Sequence, residues 1–294
     1  MVDMQQAFGT VITAMVTPFH NDGSLDREAT AALATHLVDS GNDGLVVNGT
    51  TGEAPTTSDD TKDEVVRIVV DAVGDRAKVI AGVGTNDTAH TVALARRAAA
   101  AGAHALLVVT PYYNKPPQAG LLSHFRTVAD ATDLPNMLYD IPGRSAAEIA
   151  TPTLVALAEH PNIAAVKDAK GDLMASARVL ATTDLLYYSG EDGLNLPLLA
   201  IGATGFVSVI GHFVAPQLKA MREAFLAGDL SRARQLHFQS LPPNDAIFAT
   251  QAAITVKGAL ARQGLCGATV RLPLIEATVD QVDAVITALE AISG

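Results

Sequence analysis

Asn162-Ile163-Ala164-Ala165-Val166-Lys167-Asp168-Ala169 is an apolar, strand-like run that ends in a lysine. Seven further short runs of the same kind precede or follow it, at 9–19, 44–47, 78–82, 105–110, 136–140, 185–189 and 205–210, with this one at 163–167. Alanine- and leucine-rich stretches with helical periodicity lie between them, starting near Asp26, Ser58, Thr88, Gln118, Thr151, Asp172, Asp192 and His212. Several open on Ser, Thr or Asp, the residues that cap helix N-termini. Eight strand–helix repeats with short connections predict a (β/α)8 TIM barrel. A doubly wound sheet is the alternative, but it calls for no eightfold count, and no GxGxxG turn is present. After about residue 227 the strands stop, and helices are expected at 228–240, 244–263 and 279–292, joined by Pro- or Gly-bearing turns. The expected division is a catalytic barrel over 1–226 and a C-terminal helical extension over 227–294.

The chain has 294 residues, of which 49% are hydrophobic, enough for a large core. No apolar stretch reaches the ~18 residues that span a bilayer. The amino terminus, with Asp3 and two glutamines, lacks the basic-then-apolar pattern of a secretion signal. The one cysteine, Cys266, rules out an internal disulfide framework and fits a reducing cytosol, so a cytoplasmic location is expected. A net charge of −11 argues against nucleic acid and anionic membrane as partners. Small anionic substrates stay open, because single arginines can bind a carboxylate locally.

Among seven lysines, only Lys167 interrupts the end of an apolar strand. Burial disfavours an ammonium and lowers its pKa, and a neutral lysine attacks carbonyls to form a Schiff base. The competing reading is a structural lysine paired with a carboxylate such as Asp168. In α/β barrels the chemistry sits at strand C-terminal ends, so the other strand ends are candidates. The second ends in Gly49-Thr50-Thr51-Gly52-Glu53, whose hydroxyls and amides suit a carboxylate or a proton relay, or a plain glycine turn. The fourth ends in Thr110-Pro111-Tyr112-Tyr113, either phenols for proton transfer or an aromatic plug. The fifth ends in Tyr139-Asp140-Ile141-Pro142-Gly143-Arg144: a phenol directed into the barrel mouth, then a guanidinium that forks a carboxylate or serves structure. The seventh closes with Ser189-Gly190-Glu191-Asp192, where Glu191 and Asp192 are expected to cap a helix, and the eighth carries Val207. Eight histidines lack HxH or HExxH spacing, so no metal site is expected. No GxxxxGK[ST] or GxSxG motif is present either.

In combination and order, these strand ends resemble the dihydrodipicolinate synthase family of pyruvate-dependent lyases and synthases. The resemblance runs from Gly9 to at least residue 215, and the helical tail fits it. It implies that Lys167 forms an imine with pyruvate, which tautomerises to an enamine and attacks L-aspartate 4-semialdehyde, in the diaminopimelate route to lysine. It implies Tyr139 as general acid/base, and Thr51 linking Tyr139 to Tyr113 in a hydroxyl relay that Thr50 assists. Tyr113 would come from a neighbouring subunit of a homotetramer, a dimer of dimers. Thr51 and the Val207 main chain would hold the pyruvate carboxylate, with Gly190 also in the substrate site, and Arg144 would bind the semialdehyde carboxylate. No cofactor is implied beyond the covalent imine.

Sister activities implied by the same lysine and tyrosine are N-acetylneuraminate lyase and 2-keto-3-deoxy sugar acid aldolase. Those lyases typically carry Ser-Thr in place of Thr50-Thr51 and lack the Pro-Gly-Arg arginine. A barrel that binds a keto acid without catalysis is the alternative from another class. Many family members are inhibited by lysine at a subunit interface near Tyr112, Ala54, Pro55, Asp59, Lys62, Asn86 and His90. Here Lys62 stands where a histidine is expected and His90 where a glutamate would meet the effector's ammonium, so weak or absent lysine inhibition is expected.

Overall fold

The structure, a computed structural model, describes residues 7–293. The amino-terminal residues 1–6, on which the secretion-signal reading rests, lie outside them. Eight parallel strands close into a barrel in sequence order: β1 (Val11–Ala14), β2 (Gly44–Val47), β3 (Lys78–Gly82), β4 (Ala105–Val109), β5 (Asn136–Asp140), β6 (Ile163–Asp168), β7 (Leu186–Ser189) and β8 (Gly205–Ser208). The helices are α1 (Arg27–Asp39), α2 (Asp59–Val73), α3 (Thr88–Ala100), α4 (Gln118–Ala129), the single turn α5 (Pro142–Ser145), α6 (Thr151–Leu157), α7 (Leu173–Thr182), α8 (Asn195–Ala200) and α9 (Gly211–Leu226). Three more follow, α10 (Leu230–Ile247), α11 (Ala252–Arg262) and α12 (Val279–Ser293). The TIM barrel expected from the eight repeats is the observed fold.

Local chemistry sets the helix starts. Asp26, Ser58, Asp87 and Asp172 each accept a backbone N–H of the first turn of α1, α2, α3 and α7. The first strand is shorter than its apolar run, because Val16 N–H turns to His212 Nε2 (3.1 Å) and leaves the ladder. The expected break near residue 241 is absent. α10 continues through Pro242 and Pro243, and α11 starts only at Ala252 behind the Gln251 cap. Proline removes backbone donors from a helix interior, but Pro243, Asn244 and Ile247 are buried and α10 packs on α9 and α12, and packing overrides the local preference.

Alternation along the strands splits the core in two. Leu138, Val166 and Tyr187 join the layer between sheet and helices, whereas Met137, Tyr139, Ala165, Tyr188 and Val207 fill the barrel interior. The β5–β6 register places Tyr139 beside Lys167 and Asp140 beside Asp168. One irregularity precedes this pairing: Asn136 aligns with Ile163 but Met137 with Ala165, so Ala164 is the unpaired residue of a bulge.

Candidate active site

Lys167 is 5% exposed at the C-terminal end of β6. Its ammonium lies 4.1 Å from the centroid of the Tyr139 ring, and among the described residues no carboxylate comes within 4 Å of it. Burial lowers its pKa to about 8, with Arg144 acting in the same direction and Asp192 and Glu191 opposing. Asp168, the candidate ion-pair partner, points the other way. Its carboxylate accepts from Ser176 Oγ (2.6 Å), the Tyr187 hydroxyl (2.8 Å) and Lys170 N–H (2.8 Å). Asp140 does the same one strand over, accepting from Lys170 Nζ (3.2 Å) and Ile149 N–H (3.2 Å), with burial pushing its pKa up to about 6. The acids therefore occupy the outer face of β5 and β6, while the phenol and the amine occupy the inner face. This outer cluster was not singled out from the sequence, although strand parity alone separates 139 and 167 from 140 and 168.

Tyr139 is 4% exposed, and its main-chain carbonyl accepts from both Thr110 N–H (2.9 Å) and Thr110 Oγ1 (3.0 Å). Burial pushes the phenol up to about 12, while Arg144 and a hydrogen bond from Thr50 pull it down. Thr51, in the same loop, is buried at 6% exposure. Gly52 lets this loop sit close to β1, since a Cβ there would be 3.1 Å from Thr17 Oγ1 and 3.2 Å from Met15 O.

Gly190 has a steric reason to be glycine. A Cβ at this position would lie 2.8 Å from Lys167 Cγ and 2.9 Å from Cε. Its missing side chain makes room for the lysine itself. Glu191 and Asp192 do not cap a helix with their side chains. Asp192 is 2% exposed and accepts from Ser208 Oγ (2.6 Å), Val209 N–H (2.8 Å), Ile210 N–H (3.0 Å) and Asn195 Nδ2 (3.0 Å), tying the β7 and β8 ends together next to Val207.

A cavity of about 710 Å³ opens above these groups, and its wall includes Thr50, Tyr112, Tyr113, Tyr139 and Arg144. Lys167, Thr51, Val207 and Gly190 are not on that wall; the lysine lies behind the Tyr139 ring. Tyr113 is 88% exposed with a left-handed φ of 75°, a conformation costing on the order of 1–3 kcal/mol and concentrated at functional positions. The outer part of the cavity holds Ala54, Pro55, Lys62, Asn86 and His90, and Asp59 joins two of them, to Lys62 at 3.6 Å and to His90 at 2.9 Å. Among the described residues, no group of three or more His, Cys, Asp or Glu is placed to hold a metal ion, and no helix is long and apolar enough to cross a membrane.

A closed parallel barrel with an uncompensated, desolvated lysine against a phenol at its catalytic end defines a class: the Schiff-base-forming barrel lyases and synthases. Over residues 7–292 the chain matches the Dihydrodipicolinate synthetase family, and it belongs to that family. It is 62% identical over 275 residues to the 4-hydroxy-tetrahydrodipicolinate synthase of Acidothermus cellulolyticus, covering 94% of this chain and 89% of that one. It is 58% identical over 279 residues to 4-hydroxy-tetrahydrodipicolinate synthase 2 of Streptomyces coelicolor, with 95% and 93% covered. Among solved structures, dihydrodipicolinate synthase from Cyanidioschyzon merolae with lysine bound superposes with a TM-score of 0.95 at 40% identity, covering 98% and 99%.

Proposed function

We propose that this chain condenses pyruvate with L-aspartate 4-semialdehyde, as a 4-hydroxy-tetrahydrodipicolinate synthase, through an imine on Lys167. The observation that carries the mechanism is the amine of Lys167, buried, without a carboxylate partner and 4.1 Å from the Tyr139 ring. With a pKa of about 8, roughly a tenth of it is neutral at pH 7, about 300-fold more than for a free lysine. The neutral amine adds to the pyruvate carbonyl, and Tyr139, a protonated phenol at neutral pH, donates the proton with which water leaves. The iminium then draws electrons from the pyruvate methyl, which loses a proton to give the enamine. The enamine carbon attacks the semialdehyde aldehyde, and the semialdehyde's own amine displaces Lys167 as the ring closes.

In this reading Thr50 relays protons to Tyr139, Thr51 and the Val207 main chain hold the pyruvate carboxylate, and Arg144 at the mouth forks the second carboxylate. Gly190 admits the lysine. No cofactor enters the reaction, because the iminium is itself the electron sink. An exposed, strained Tyr113 on the cavity wall supports completion of the relay by a second copy, within a dimer of dimers. Asp59 already carries Lys62 and His90, which supports insensitivity to lysine.

Borohydride reduction with pyruvate tests the chemistry: a pyruvyl mass on the peptide containing Lys167 is expected, and active enzyme without it sinks the imine. A coupled assay with the semialdehyde beside sugar-acid cleavage tests the substrate, and turnover in the second alone would move the chain to the aldolases. Adding L-lysine at up to millimolar concentration is expected to leave the rate unchanged.

A further inference from the structure

Outside the barrel mouth lies a second buried lysine that the reaction does not use. Lys257, in α11, has no exposed surface and does not line the cavity above the barrel mouth. Its ammonium donates to Glu53 Oε1 (2.5 Å) and to Thr269 O (2.8 Å). The other oxygen of Glu53 accepts the main-chain N–H of Arg271 (2.7 Å). The Arg271 side chain continues outward, donating to Gly23 O through Nη2 (2.6 Å) and to Thr56 O through Nη1 (3.0 Å). The ring of Phe19 is held between the two cations, 4.3 Å from Lys257 Nζ and 4.0 Å from Arg271 Cζ. Residues more than 200 positions apart are thereby tied, and all the ties from the C-terminal segment converge on the loops after β1 and β2.

Glu53 is the residue that closes Gly49-Thr50-Thr51-Gly52-Glu53. Its φ is 57°, left-handed for a residue with a Cβ, and its N–H donates back to Thr50 O (3.2 Å). Such a conformation persists only where its surroundings over-determine it. A buried ion pair is a poor way to gain stability, since an apolar pair of like volume does as well or better. What an apolar pair lacks is direction. Two donors on one carboxylate fix where Glu53 points, and through its backbone fix the two threonines immediately before it.

We propose that Glu53, Lys257 and Arg271 form a positioning device through which the C-terminal extension sets the reach of Thr50 and Thr51 toward Tyr139 and the pyruvate carboxylate. This rests on the roles given above to Thr50 and Thr51. None of the three touches substrate; they act through the loop.

The test compares the full chain with the paired variant Glu53→Met/Lys257→Met, which removes both buried charges at similar volume. Thermal melting, KM for pyruvate, kcat and borohydride trapping are measured on each. The paired variant is expected to melt near the parent temperature and to form the pyruvyl adduct. Its KM for pyruvate should rise and its kcat fall, together on the order of 10- to 100-fold, the scale of a small misplacement of positioning groups. Parent values of KM and kcat in a paired variant that melts normally would overturn the proposal. Glu53→Gln serves if the paired variant does not fold. It keeps the volume and one accepting oxygen, so a raised KM at unchanged melting temperature supports the device, and an unchanged KM defeats it. Failure of the underlying reading is separately visible, as absence of the pyruvyl adduct in the parent protein.

Discussion

Two lysines of this protein, Lys167 and Lys257, occupy nearly the same environment and have opposite fates. Both are buried, and each ammonium sits just over 4 Å from an aromatic ring, Tyr139 in one case and Phe19 in the other. Burial lowers the proton affinity of both. The difference is the carboxylate. Glu53 meets Lys257 directly and opposes the loss of its proton, whereas among the described residues no acid reaches Lys167 within ion-pair distance. Desolvation therefore does not select a nucleophile. An unpaired amine against a phenol does.

The largest effect that would break this comparison concerns turnover. Lys167→Met is expected to lower kcat by ~10⁴-fold or more, as removal of a nucleophile does, and to abolish the borohydride-trapped adduct. Lys257→Met should still show that adduct by mass spectrometry. Tyr139→Phe keeps the ring beside Lys167 but loses the proton donor, and a fall of about 10²–10⁴-fold in steady-state kcat is expected. Stability should sort the two lysines in reverse. Lys257→Met strands Glu53 as a buried lone charge, a loss of about 3–5 kcal/mol in urea unfolding.

Lys167→Met removes a desolvated ammonium instead. A folded pKa of about 8, depressed from 10.5, means that this group's contribution is present above pH 10.5 and lost as pH falls through 8. At pH 7 the variant should therefore be more stable by about 3 kcal/mol, less whatever side-chain packing it forfeits. The same proton sharpens the kinetics: imine formation, followed by stopped-flow with pyruvate, should fall about tenfold per unit below pH 8 and level off above it.

Much of this was legible in the chain. Apolar runs such as 44–47, 78–82 and 136–140 carry their own boundaries, because burial on both faces of a parallel strand leaves an unbroken hydrophobic signature. Helix starts were legible through capping side chains. The helix through Pro242 and Pro243 was not, since its continuity depends on what α10 packs against. In the site, strand ends pointed to Lys167, Tyr139 and Arg144, but a two-residue motif does not say which of Thr50 and Thr51 faces Tyr139. Lys257 falls inside the helix expected over 244–263, and nothing in that stretch points to its partner 204 positions away.

The bulge at Ala164 reaches further than a local irregularity in the ladder. Were Ala164 to pair with Met137 in turn, the Asn136–Ile163 alignment would carry forward unshifted, setting Val166 beside Tyr139 and Lys167 beside Asp140. The amine would then share the outer face with Asp140, which Lys170 already pairs, and the inner face would hold no nucleophile. Side-chain identity would be unchanged throughout. A frame offset of a single alanine is what separates a reagent from a strut.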